Sequence, residues 1–153
     1  MVRTALKAMI LATPLLGLAG PAFAAEVEAS AMKYTNDGAY TAQFYVRYNL
    51  GDGTKCRVRP KGFSPSNIYN SGSVTYALTD TMLLFDGDAS CLTSSGEIPE
   101  GLQVWGRVEI SNGTTESCKK DKKVIFRVSG GTVKYKTKGT TLNNNRCRIS
   151  SWP

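Results

Sequence analysis

Apolar and polar residues alternate with a period of two along much of this chain, and beyond residue 24 no stretch of a dozen residues keeps a helical stripe. From Ala39 to Tyr48, Tyr40, Ala42, Phe44, Val46 and Tyr48 fall on one face, while Thr41, Gln43, Tyr45 and Arg47 fall on the other. Gly51-Asp52-Gly53 then supplies a turn, and a short strand through Cys56 and Val58 ends near Pro60, which cannot donate to a ladder. Residues 59–72 are rich in chain breakers and read as a loop that Phe63, Ile68 and Tyr69 pin to the domain. Two short strands follow, over residues 73–78 and 81–85, before a polar stretch from Asp86 to Gly101.

The clearest strand is residues 102–110, with Leu102, Val104, Val108 and Ile110 turned to the core and Gln103, Trp105, Arg107 and Glu109 turned away. Asn112-Gly113 predicts a type I′ hairpin that returns the chain through residues 114–118. A second hairpin is expected at Gly130-Gly131, with residues 123–128 paired to 132–138. In that register Val128 meets Val133, Phe126 meets Tyr135, and Val124, Phe126, Val128, Val133 and Tyr135 point inward. A run of strands and turns without a helical crossover predicts a small antiparallel β-sandwich or barrel.

The N-terminus sets the compartment. Arg3 and Lys7 precede an apolar stretch from Ala8 to Leu18, and Ala22-Phe23-Ala24 supplies small residues at a cleavage site. Residues 1–24 therefore read as a cleavable signal peptide and residues 25–153 as one exported domain, secreted or periplasmic. Such a compartment is oxidising, so Cys56, Cys91, Cys118 and Cys147 are expected to form two disulfides, paired Cys56–Cys91 and Cys118–Cys147. No Cys-x-x-Cys pair argues for zinc.

Charge is unevenly spread. Loss of Arg3 and Lys7 lowers the formal +7 to +5. From Lys119 to Arg148 there are ten basic residues against the single acid Asp121, whereas residues 25–118 carry seven basic and eleven acidic ones. A positive C-terminal segment attracts anions. In the expected second hairpin, Arg127 faces Lys134, and Lys136 and Lys138 continue the same row. Directly opposed like charges destabilise a ladder unless something offsets them.

Chemistry is narrowly bounded. The chain has no histidine, which removes the commonest general base and metal ligand. With the cysteines in bridges, thiol catalysis lacks a nucleophile. A carboxylate-dependent glycoside hydrolase is a further reading, on Asp86 with Asp88, or on Glu97, Glu100 and Glu109 around Trp105. None of these forms a motif, and Asp86-Gly87-Asp88 is more simply a turn. No phosphate-cradling glycine motif is present, so nucleotides and nucleic acid are not expected partners. Trp105 beside Arg107 could stack on a sugar ring, although large aromatic residues are usually buried. The sequence thus points to an exported non-enzymatic binding protein of the inhibitor, immunity or envelope-binding kind, with no cofactor or metal. Arg127, Lys134, Lys136, Lys138, Trp105 and Arg107 are its candidate binding residues, and an acidic protein surface, an anionic polysaccharide or lipid head groups its candidate partners. A secreted toxin or effector acting on envelopes is the rival reading.

Overall fold

The computed structural model describes residues 26–60, 67–83, 97–118, 122–143 and 145–153. The expected signal segment, 1–24, lies outside them. The described residues form ten strands in chain order: β1 (Glu26–Gly38), β2 (Ala42–Asn49), β3 (Lys55–Pro60), β4 (Ser73–Ala77), β5 (Thr81–Leu83), β6 (Gln103–Ile110), β7 (Thr115–Ser117), β8 (Lys123–Phe126), β9 (Gly131–Gly139) and β10 (Arg148–Ser151). No helix occurs among the described residues.

The strands form one path, β10-β9-β1-β8-β6-β2-β3-β5, with β4 added to β1 and β7 to β6. This path folds over on itself. In a flat sheet β1 and β2, three steps apart, would be separated by ~14 Å. Instead the rings of Tyr34 on β1 and Phe44 on β2 stack at 4.9 Å between centroids. Tyr76 of β4 and Tyr135 of β9 close around the same Phe44 at 5.4 and 6.0 Å. The Tyr76 hydroxyl also donates to the Phe44 carbonyl at 2.7 Å. The result is a sandwich with β4-β1-β9-β10 on one side and β7-β6-β2-β3-β5 on the other. β8 joins the layers by pairing with β1 at Glu26–Ala29 and with β6 at Gln103 and Val104.

Alternation decides which side chains fill the space between the layers. Met32, Tyr34, Phe44, Val46, Tyr48, Val104, Val108, Val124, Phe126, Val133 and Tyr135 are all buried, and Leu102 packs against them. Burial of such side chains stabilises by ~1.5–3 kcal/mol each relative to exposure. Two polar side chains caught in this core, Tyr34 and Asn36, have partners. The Tyr34 hydroxyl bonds Thr137 Oγ1 at 2.6 Å, and Asn36 Nδ2 donates to the carbonyls of Tyr40 and Ile68.

Three expectations are corrected. First, the sheet is mixed rather than antiparallel, because β1 runs parallel to both β8 and β9. Second, β8 and β9 do not pair with each other as a hairpin through Gly130-Gly131. β1 lies between them, and the chain crosses from one edge of β1 to the other at Ala29. There Arg127 N–H donates to the Ala29 carbonyl, and the β1–β9 register shifts between Ala29 and Ala31. Val124, Phe126, Val133 and Tyr135 still face the core, but Val128, in the crossing, is 61% exposed. Third, the loop at residues 111–114 is wider than a two-residue type I′ turn. β6 and β7 do pair antiparallel, but only Asn112, and not Gly113, has a positive φ.

Cys118 is bonded to Cys147. Cys56 is disulfide-bonded too, but Cys91 lies outside the described residues, which therefore contain one complete bridge of the two expected.

Candidate functional site

The outer face of β4-β1-β9-β10 carries the charge. On β9, Val133, Tyr135 and Thr137 point into the core, so alternation turns Lys134, Lys136 and Lys138 outward over a span of ~13 Å. On β1 beyond the Ser30 bulge the outward residues are Lys33, Thr35 and Asp37, level with Lys134, Lys136 and Lys138. β4 contributes only Ser73, Thr75 and Ala77. β10 adds Arg148 directly opposite Lys136, and Arg146 lies two residues earlier in the chain. Six cations thus gather where the strands place one acid, Asp37, whereas Glu26 and Glu28, also outward at the far end of β1, pair with Lys123 and Arg127. The Asp37 carboxylate pairs with Lys136 Nζ at 2.8 Å. Lys134, Lys138, Arg146 and Arg148 make no ion pair among the described residues.

Part of this face is concave. Lys136, Lys138, Arg146, Arg148 and Ser150 line a cavity of about 520 Å³. Two features hold its walls. Cys147, between the two arginines, is buried and tied to Cys118. The β9–β10 register also shifts between Ile149 and Ser151, a bulge of the kind that re-aims neighbouring side chains. Ser150 Oγ donates to the Lys134 carbonyl at 3.1 Å across this irregularity.

The loops at the adjoining end of the sandwich are knitted together. Ala39 N–H bonds the Gly139 carbonyl, Ser111 N–H bonds the Thr41 carbonyl, and Asn145 Nδ2 donates to Thr114 Oγ1. Two large apolar side chains stand out from these loops, Leu142 at 83% and Tyr69 at 67% exposure.

The remaining candidate residues lie elsewhere. Arg127 is in the β8–β9 crossing beside Ala29, eight residues along β1 from the position level with Lys138, and its guanidinium is 3.6 Å from Glu28. Trp105 and Arg107 are on β6, on the outer face of the other layer, where Trp105 is buried and level with Arg47. Beside them, Arg57 lies 3.6 Å over the Tyr45 ring and 2.9 Å from Glu109 Oε1, which also accepts the Tyr45 hydroxyl hydrogen bond at 2.7 Å. Burial, followed by that bond to Glu109, raises the Tyr45 phenol to about 12. Of the carboxylates considered for hydrolysis, Glu109 is thus held by Arg57 and Tyr45, and Glu100 accepts the Val128 N–H. Asp86 and Asp88 lie outside the described residues. Sequence reasoning passed over Lys33, Arg146 and Arg148, whose place beside β9 depends on pairings with β1 and β10 that no local pattern announces.

No family model matches this chain, and no curated protein matches it. Thirteen chains of solved structure are similar to it. They include pneumolysin, at TM-score 0.37 and 13% identity over 81% of this chain and 23% of that one. The membrane-binding domain of pneumolysin is similar at TM-score 0.33 and 14% identity, over 79% of this chain and 93% of that one. The human-specific toxin intermedilysin follows at 0.31 and 18%, over 73% and 21%. The chain spans about a quarter of the length of these whole toxins. The likeness is weak and assigns no residue a role. Among the described residues no helix is long and apolar enough to cross a membrane.

Proposed function

We propose that residues 25–153 are an exported, non-enzymatic binding domain that docks on anionic envelope surfaces, lipid head groups in particular, through the outer face of β4-β1-β9-β10. The observation that carries this reading is the gathering of Lys33, Lys134, Lys136, Lys138, Arg146 and Arg148 around Asp37, the one acid that the described strands place among them. A basic side chain near an anionic leaflet contributes ~1 kcal/mol. The face as a whole therefore supplies roughly 5 kcal/mol, enough for reversible attachment. Leu142 and Tyr69, exposed on the adjoining loops, favour a bilayer over a soluble polyanion, since an apolar side chain beside basic ones suits the boundary between head groups and acyl chains. Cys118–Cys147 fits an oxidising compartment.

The test is co-sedimentation with vesicles containing an anionic phospholipid, against neutral phosphatidylcholine vesicles. Wild type is expected to partition onto the anionic vesicles only. Lys134→Glu with Lys136→Glu removes two attractions and adds two repulsions, for a loss of ~10²–10³-fold. Equal binding to neutral vesicles, or no loss in the double variant, would defeat the proposal. Binding to an anionic polysaccharide or acidic protein in place of vesicles would replace the lipid with that partner. Dye release from the vesicles would turn the binder into a lytic toxin.

A further inference from the structure

Within the basic face, the cavity between β9 and β10 differs from the rest of the surface. Its cations converge, whereas Lys33 and Lys134 stand outside it. Lys136 and Arg148 oppose each other across the ladder, an arrangement that destabilises the sheet unless an anion or acid lies between them. Asp37 meets Lys136 alone, which leaves Lys138, Arg146 and Arg148 without an acidic partner among the described residues. A carboxylate brings one charge and two oxygens to such a site. A phosphate monoester brings up to two charges and three strong acceptor oxygens, which match two guanidinium forks and the lysine ammonium groups. The volume, about 520 Å³, holds a phosphate together with part of the group that carries it. The backbone between the two arginines is also held in place, because Cys147 is bonded to Cys118. Preorganisation of this kind raises affinity by lowering the ordering cost of binding.

We propose that the cavity lined by Lys136, Lys138, Arg146 and Arg148 is a phosphomonoester site, which gives the basic face a preference for doubly charged phosphate over singly charged groups. This rests on the reading of that face as anion-binding. It goes further in naming the ligand chemistry.

The experiment uses the full disulfide-bonded domain and two sets of vesicles matched in surface charge, one containing phosphatidic acid and the other phosphatidylserine. Wild type is expected to bind the phosphatidic acid set about tenfold more tightly. Arg146→Gln with Arg148→Gln is expected to bring the two affinities together. Arg146→Lys with Arg148→Lys keeps the charge but not the forks, and is expected to retain general anionic binding while losing most of the preference. Inorganic pyrophosphate distinguishes the source of the phosphate. Its displacement of the protein from phosphatidic acid vesicles supports a site that takes free phosphate, and binding that resists it supports a site that takes the phosphate as a lipid head group. Salt-sensitive binding to both vesicle sets with no preference would overturn the phosphate site and leave the proposed function standing. Binding to neither set would overturn both. A preference that survives in the glutamine variant would also overturn the site, provided its circular dichroism and its Cys118–Cys147 bond match wild type.

Discussion

Gly130→Ala probes the chain crossing that sets this topology apart from a succession of hairpins. Gly130 lies where the segment between β8 and β9 passes over the central strand. Its N–H bonds the Arg127 carbonyl at 2.9 Å, and its own carbonyl accepts from Ser30 Oγ. A Cβ at Gly130 would sit 2.6 Å from Ala29 N and 2.7 Å from Ala29 C and Cα. These are backbone atoms of a strand paired on both edges, so they cannot retreat as a side chain would. Gly130 has no left-handed φ, so the alanine's own conformation is not the obstacle and the collision is the whole effect. Overpacking of this kind costs ~1–3 kcal/mol, and displacement of a hydrogen bond in the crossing adds ~1. The expected total of ~2–4 kcal/mol corresponds to a fall in Tm of ~6–15 °C in a domain of this size. Urea unfolding, followed by tryptophan fluorescence and circular dichroism together, measures it. Gly51→Ala is the control. Nothing lies within 4 Å of its Cβ and it has no left-handed φ, so alanine there is expected to be neutral or to stabilise by up to ~1 kcal/mol. A Gly130→Ala protein within ~0.5 kcal/mol of wild type would refute the close crossing.

Cys118→Ser with Cys147→Ser opens a closed segment of 29 residues in sequence separation and is expected to cost about 3–4 kcal/mol on the chain-entropy account. The same variant should lose the preference for phosphatidic acid, which vesicle binding below its lowered Tm checks. Phe44→Ala removes the ring on which Tyr34, Tyr76 and Tyr135 converge, with an expected loss of ~3–5 kcal/mol in urea unfolding. Burial raises the phenols of Tyr34, Tyr40, Tyr45, Tyr76 and Tyr135, with Tyr45 and Tyr76 at about 12. The folded chain therefore holds protons that the unfolded chain releases above pH ~10. This stabilisation is complete below that pH and is lost as pH rises towards 12, by up to ~1.4 kcal/mol per pH unit for each tyrosine. Phenolate absorbance should rise together with loss of the sheet signal, and ionisation of these five tyrosines near pH 10 with the sheet intact would contradict it.

The strands with uninterrupted alternation were legible in the sequence. β2, β3, β4 and β6 fall within a few residues of where the pattern put them, and Tyr40, Phe44, Val46, Val104 and Val108 face the core as expected. β1 was not legible, although it is the longest strand and the centre of the fold. Its inward residues change phase at the Ser30 bulge, from Val27 and Ala29 to Met32 and Tyr34, so that neither half shows enough period-two signal by itself. Missing β1 produced the wrong partner for β8 and β9. With β1 absent, Gly130-Gly131 between two apolar runs is a good hairpin signal. With β1 present, the same glycine lets the chain pass against another backbone. The basic face was legible only in part. Lys134, Lys136 and Lys138 follow from the phase of β9, but Arg146 and Arg148 join them through a disulfide and a long-range pairing.

The salt dependence of binding to anionic vesicles tests the central claim most directly. If Lys33, Lys134, Lys136, Lys138, Arg146 and Arg148 make the contact, partitioning should weaken steeply as ionic strength rises and screening shortens to ~8 Å near 0.15 M. The slope should then flatten in Lys134→Glu with Lys136→Glu. Binding that is unchanged between low and high salt, or as salt-sensitive in that variant as in wild type, would contradict a charged docking face on β9 and β10.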